Sequence, residues 1–171
     1  MAKTKEQKKE IVEKVEKILK GSASVFVHFT GISVAQETAM RRSMRGEGLG
    51  YVVAKKTLIR RALAALGYLP AQAGDSELPM QGEVAVAYTA TSDDQTAPAR
   101  RVHAFGKDFG EGKLSILGGI FEGKLVDAVM MQTIATIPSL DTLRGMFANI
   151  INSPRARFAV ALSEVAKAKA S

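Results

Sequence analysis

The chain has 171 residues, of which 46% are hydrophobic and 24% charged, with no cysteine and no tryptophan. That balance suits one packed core with a small appendage, and it excludes long disorder, disulfide bridges and thiolate metal sites. The net charge of +7 is unevenly placed: Met1 to Leu66 hold 9 Lys and 5 Arg against 6 Glu, while the remainder is close to neutral, which is the footprint of a nucleic-acid face.

The N-terminal stretch from Met1 through Lys20 alternates lysine and glutamate and lacks the apolar centre of a signal peptide. No run of about 18 apolar residues follows anywhere, so no membrane span is expected and a cytoplasmic location is. Thr4 and Gln7 fit a capping box, and Ile11, Val12, Val15, Ile18 and Leu19 recur at helical spacing, which predicts a helix ending at Gly21. Its opposite face, with Glu10 and Lys14 or Glu13 and Lys17 four residues apart, reads as solvated.

Ala23 to Thr30 alternates as a strand, and Gly31 breaks it. Ser33 and Gln36 form a second capping box, opening a helix that carries Arg41, Arg42 and Arg45 and stops at Gly46, Glu47 and Gly48. A strand over Gly50 to Ala54 then runs into the stretch Lys55, Lys56, Thr57, Leu58, Ile59, Arg60, Arg61. Thr57 reads as the N-cap of the next helix, with two lysines before it and two arginines one turn inside. Four cations at one junction, with no acid nearby in sequence, call for a polyanion.

That helix should end near Gly67, and Pro70 to Pro79 reads as a loop. Glu83 to Thr89 predicts a third strand, and Thr91 or Ser92 can cap a helix with an apolar stripe of Ala99, Val102, Phe105 and Phe109. Lys113 to Phe121 predicts a fourth strand, where Gly118 and Gly119 suggest a bulge or a close backbone approach. Leu125 to Ile137 reads as a helix closed by Pro138. Together these elements predict an α+β domain over residues 1–137, a two-layer sandwich with a mostly antiparallel sheet of about four strands.

Residues 138–171 form a separate helical extension. Ser139 caps it, and Pro154 should kink or break it into two segments, because proline removes a donor and clashes with the preceding turn. The segments repeat: Leu143, Met146, Phe147, Ile150 and Ile151 in the first answer to Phe158, Val160, Ala161, Leu162 and Val165 in the second, with Phe147 and Phe158 eleven residues apart. Two similar apolar surfaces on a terminal extension point to repeated partner docking in the helix-in-groove manner.

Signs of catalysis are weak. Gly46, Gly48 and Gly50 follow a helix and precede a strand, the reverse of a dinucleotide loop, and Asp108, Phe109 and Gly110 spell a kinase triplet without the loops that would support it. The two histidines, His28 and His103, supply neither a metal-ligand cluster nor a nucleophile set, and His28 reads as a structural strand residue. A non-catalytic protein without metal or cofactor is expected, whose rival reading is a protein-interaction module with its basic face on an acidic partner.

The stretch Gly31 to Gly48, the junction Val52 to Ala62, the run Gly118 to Val126 with Phe121, Glu122 and Gly123, and the terminal helix together resemble the bacterial ribosomal protein L ten family, the base of the large-subunit stalk. Where that family usually carries asparagine before the junction threonine, this chain has Lys56, which keeps a phosphate-binding group and loses amide hydrogen bonding. The resemblance implies that the first domain binds large-subunit rRNA at the GTPase-associated region beside protein L eleven. It also implies that the terminal helix carries dimers of the acidic stalk protein L seven/L twelve, which recruit translational GTPases; two segments suggest two dimers. The expected rRNA contacts are Lys55, Lys56, Thr57, Arg60 and Arg61, followed by Arg41, Arg42, Arg45, Lys3 and Lys5.

Overall fold

A computed structural model describes residues 4–21, 23–68, 80, 82–90, 94–110 and 112–170. Its elements run α1 (Lys5–Gly21), β1 (Ser24–Phe29), α2 (Val34–Gly46), β2 (Leu49–Val53), α3 (Lys56–Ala65), β3 (Val84–Thr89), α4 (Ala97–Phe109), β4 (Leu114–Phe121), β5 (Lys124–Asp127), α5 (Ala128–Ala135) and α6 (Leu140–Ala170). The chain divides into two compact units, Met1–Ile137 and Pro138–Ser171.

The first unit is built on one antiparallel sheet in the order β2-β3-β1-β4-β5, in keeping with the expected α+β class. Its strands alternate as a sheet buried on both sides requires. Val25 and Val27 enter one core with Met40 and Met44 of α2, Val102 of α4 and Met131 of α5. Phe26, Val84 and Val86 enter a second core with Val15 and Leu19 of α1 and Ile59 and Leu63 of α3. Helices therefore cover both faces, and the expected two-layer sandwich is corrected to three layers. The apolar residues on both faces of β1 and β3 are the physical reason.

The fifth strand is a second correction, since it takes Leu125 to Asp127 out of the helix expected over Leu125 to Ile137. Glu122 and Gly123 both have positive φ, 51° and 73°. Two such central residues make the tight turn that matches strand twist, so the chain reverses and Phe121 pairs with Lys124. The helix then begins at Ala128.

Both capping boxes form. Thr4 N–H donates to Gln7 Oε1 at 3.1 Å and Gln7 N–H to Thr4 Oγ1 at 3.4 Å, and Ser33 and Gln36 exchange the same pair at 3.2 and 3.3 Å. Thr91 and Ser92, expected to cap α4, lie outside the described residues, as does the loop Pro70 to Pro79; α4 itself starts only at Ala97. Ahead of it, Asp94 accepts from Thr96 N–H at 2.9 Å and from Arg100 at 2.6 Å. Burial alone would raise the Asp94 carboxyl, but the hydrogen bonds from Arg100 and Thr96 hold it below its ordinary value.

The glycine pair in β4 does what its position suggests. The register of β4 on β1 slips between Phe26 and Val27, which pair with Gly118 and Ile116, so Leu117 is the extra residue of a bulge. A Cβ on Gly119 would stand 2.3 Å from the Ser24 carbonyl oxygen and 3.1 Å from the Val25 Cα, both backbone atoms in the middle of the sheet. Gly119→Ala should therefore lower stability by about 2–3 kcal/mol, the range of an overpacked core, read as a shift in the urea midpoint. An unshifted midpoint would show that β1 and β4 can separate locally.

The second unit is α6. Ser139 caps it: its Oγ accepts from Thr142 N–H at 3.4 Å and its carbonyl from Leu143 N–H at 2.9 Å. Of the kink or break expected at Pro154, a break is absent: one helix of 31 residues continues through the proline. Proline cannot donate to the Ile150 carbonyl, but Ile150 is 70% exposed, so water can take that acceptor instead.

Candidate nucleic-acid interface

The junction after β2 differs from its sequence reading in one respect that matters chemically. Leu58 N–H and Ile59 N–H both reach back to the Lys55 carbonyl, at 2.8 and 3.2 Å, so α3 starts at Lys56 and its N-cap is Lys55. Thr57 therefore lies inside the first turn and is not the cap. A lysine side chain has no acceptor, and among the described residues Lys55 makes no side-chain cap bond to this helix. Its first N–H groups and the positive end of its dipole can therefore receive an anion.

The uncapped end opens onto a groove of about 830 Å³. On one wall Lys8, Ile11, Lys14 and Val15 come from α1; on the other Val52, Val53, Ala54, Lys55, Lys56 and Thr57 come from the end of β2 and the start of α3. Gly82, Glu83 and Val84 close it at the start of β3. All four lysines are exposed, and among the described residues one glutamate, Glu83, shares the lining with them. The sequence places Lys14 on a solvated helix face and gives Lys8 no role. The signal that marks them is their spacing with Ile11 and Val15, which places all four on one side of α1.

The remaining expected cations are distributed differently. Arg61 is exposed and Arg60 half-buried on α3, one turn beyond Thr57 and Lys56 respectively. Lys3 lies outside the described residues, and so does the side chain of Lys5. Arg41, Arg42 and Arg45 sit on α2, which packs on the opposite face of the sheet from α1 and α3, so the expected single basic face is two. Arg41 is already engaged: it pairs with Glu37 at 2.6 Å and stands 5.3 Å over the Tyr51 ring. Burial pushes the Tyr51 hydroxyl up to about 12 against the opposing pull of Arg41. Arg42 and Arg45 remain exposed.

His28 is structural, as expected from its strand. Its Nδ1 donates to the Glu83 carbonyl at 3.0 Å, which requires the proton on that nitrogen, and its Nε2 shares a hydrogen bond with Thr30 Oγ1 at 2.9 Å. Gly82 has φ 68°, and a Cβ there would stand 2.3 Å from the ring, so glycine is required beside the histidine.

On α6 the expected docking side chains are all exposed, including Phe147 at 66% and Phe158 at 67%. Because the helix is unbroken, at about 100° per residue Phe158 lies only about 20° round the axis from Phe147. Leu143, Phe147, Ile150 and Ile151 then share one stripe with Phe158, Ala161, Leu162 and Val165, while Met146 and Val160 flank it. Two separate segments have become one continuous apolar face. No described helix is long and apolar enough to cross a membrane.

A family model described as Ribosomal protein L10 matches residues 3–107, which include α1 to α3 and hence the groove. Among curated proteins, the large ribosomal subunit protein uL10 of Shouchella clausii is 36% identical over 170 residues, 99% of this chain and 97% of its own length. That of Staphylococcus carnosus is 33% identical over 165 residues, and that of Oceanobacillus iheyensis 32% over the same length, each covering 96% of this chain and 94% of the relative.

Proposed function

The chain belongs to the ribosomal protein L10 family, a structural and non-enzymatic constituent of the large ribosomal subunit in the cytoplasm, and we propose that it is a two-ended scaffold which grips rRNA with residues 1–137 and holds stalk protein with residues 138–171. The observation that carries the first half is the convergence of Lys8, Lys14, Lys55 and Lys56 around the uncapped start of α3. Lysines supply point charges for phosphates, and the free N–H groups of the helix supply directed donors. The rRNA is that of the GTPase-associated region, with protein L eleven as neighbour. Thr57, Arg60 and Arg61 extend the contact along α3; Arg42 and Arg45 reach other phosphates from the opposite face, and Arg41, Lys3 and Lys5 contribute less.

For the second half, the continuous stripe on α6 supports helix-in-groove docking of acidic L seven/L twelve dimers, one around Phe147 and one around Phe158. Translational GTPases are recruited through those dimers. The test is truncation at Ile137. The shortened chain should keep the rRNA affinity of the full chain in filter binding and lose all co-purification of the stalk protein. If it binds an acidic protein and no rRNA, the basic face has been assigned to the wrong partner.

A further inference from the structure

A basic rim alone would suit any phosphate backbone, and a duplex laid across it would touch only the rim. The groove beneath is different in kind. Ile11, Val53, Ala54 and Leu58 give it a largely apolar interior, and its volume of about 830 Å³ falls within the range of about 300–1,000 Å³ that holds small organic ligands. A phosphate drawn into that interior would lose its water without gaining partners. A planar, weakly polar body attached to a phosphate would leave its charge at the lysines and bury its faces below.

We propose that the groove takes an unpaired nucleotide of the bound RNA, its phosphate at the uncapped start of α3 and its base against Val53 and Ile11. This deepens the rRNA-binding reading and rests on it. Recognition of RNA by base identity depends on nucleotides splayed from loops and bulges, which a concave apolar site can accept. Charge complementarity selects the anion, since among the described residues four lysines line the groove against one glutamate.

That glutamate gives the site a preference. Glu83 is exposed at the groove wall, and its backbone is pinned by the His28 Nδ1 hydrogen bond at 3.0 Å. A carboxylate only accepts, so it favours a base with an exocyclic amino group over uracil. His28 and Gly82 act through Glu83 as positioning residues.

The test uses the full chain and synthetic fragments of the rRNA it binds, each with one unpaired nucleotide made abasic. One position should cost roughly 10-fold in affinity, the order expected when a base face is buried against aliphatic side chains at roughly 25 cal/mol per Å². At that position cytosine should bind roughly fivefold tighter than uracil, the value of one hydrogen bond, and Glu83→Gln should erase the difference. Val53→Ser should abolish the abasic penalty itself; Val53 is 44% exposed, so the fold tolerates the change. If every abasic RNA binds like the intact one, or the penalty survives Val53→Ser, the nucleotide site is overturned while RNA binding stands. If no fragment binds at all, the rRNA reading fails with it. If both variants leave RNA binding intact but weaken capture of an acidic neighbouring protein, the groove is a protein site and the inference is overturned.

Discussion

Alanine at both Lys55 and Lys56 will weaken rRNA binding by about 2–3 kcal/mol, since a hydrogen bond to a charged group contributes about 1.5–3 kcal/mol and neighbouring contacts share one phosphate region. The diagnostic quantity is the salt dependence. Each lost phosphate contact removes one set of released counterions, so the slope of log affinity against log salt should flatten by about 1.4–1.8 for the pair. Both lysines are exposed and neither caps α3, so the variant should unfold at the wild-type urea concentration. Arg41→Ala provides the contrast, because its guanidinium is already committed to Glu37 and Tyr51 and should change the slope little. A fall in affinity with an unchanged slope would mean that the lysines act through the shape of the junction and not through phosphates.

Phe147→Asp will remove one stalk dimer and Phe158→Asp the other. An aromatic side chain at the centre of a docked helix typically carries about 2–4 kcal/mol, and an introduced carboxylate would also face an acidic partner. Both rings are about two-thirds exposed, at 66% and 67%, so neither change opens a cavity in the chain itself. Native mass spectrometry of the co-expressed complex should show two dimers on the wild type, one on each single variant and none on the double variant. Loss of both dimers from one substitution would show that the stripe binds as a single cooperative unit.

What could be read in the sequence is what depends on neighbours in sequence. Thr4 with Gln7 and Ser33 with Gln36 cap their helices because each box is closed within four residues. The bulge and close approach at Gly118 and Gly119 were legible because a glycine pair inside an apolar strand has few other uses. The turn at Glu122 and Gly123 was not, since glutamate seldom takes positive φ and Leu125 and Val126 fit the start of a helix as readily as a short strand. Thr57 has the right chemistry for a cap, yet the Lys55 carbonyl closes the first turn before it. The site was half visible: Lys55 and Lys56 stand together in sequence, whereas Lys8 and Lys14 reach them only because α1 and α3 pack on the same face of the sheet. The separation of Arg41, Arg42 and Arg45 onto the other face is equally a matter of topology.

The strand order also governs how this unit can be made. β1 lies at the centre of the sheet although it is the first strand synthesised, and its two neighbours are β3 and β4. Phe26 must wait for Val86 and then for Gly118 before both of its edges are paired. On a growing chain the central strand therefore stays open until Phe121 has emerged, and such long-range pairing is slow to form. The groove, assembled from α1, β2, α3 and the start of β3, has all its residues by Val84. RNA offered during synthesis could thus meet a finished set of lysines on a sheet still lacking its second half.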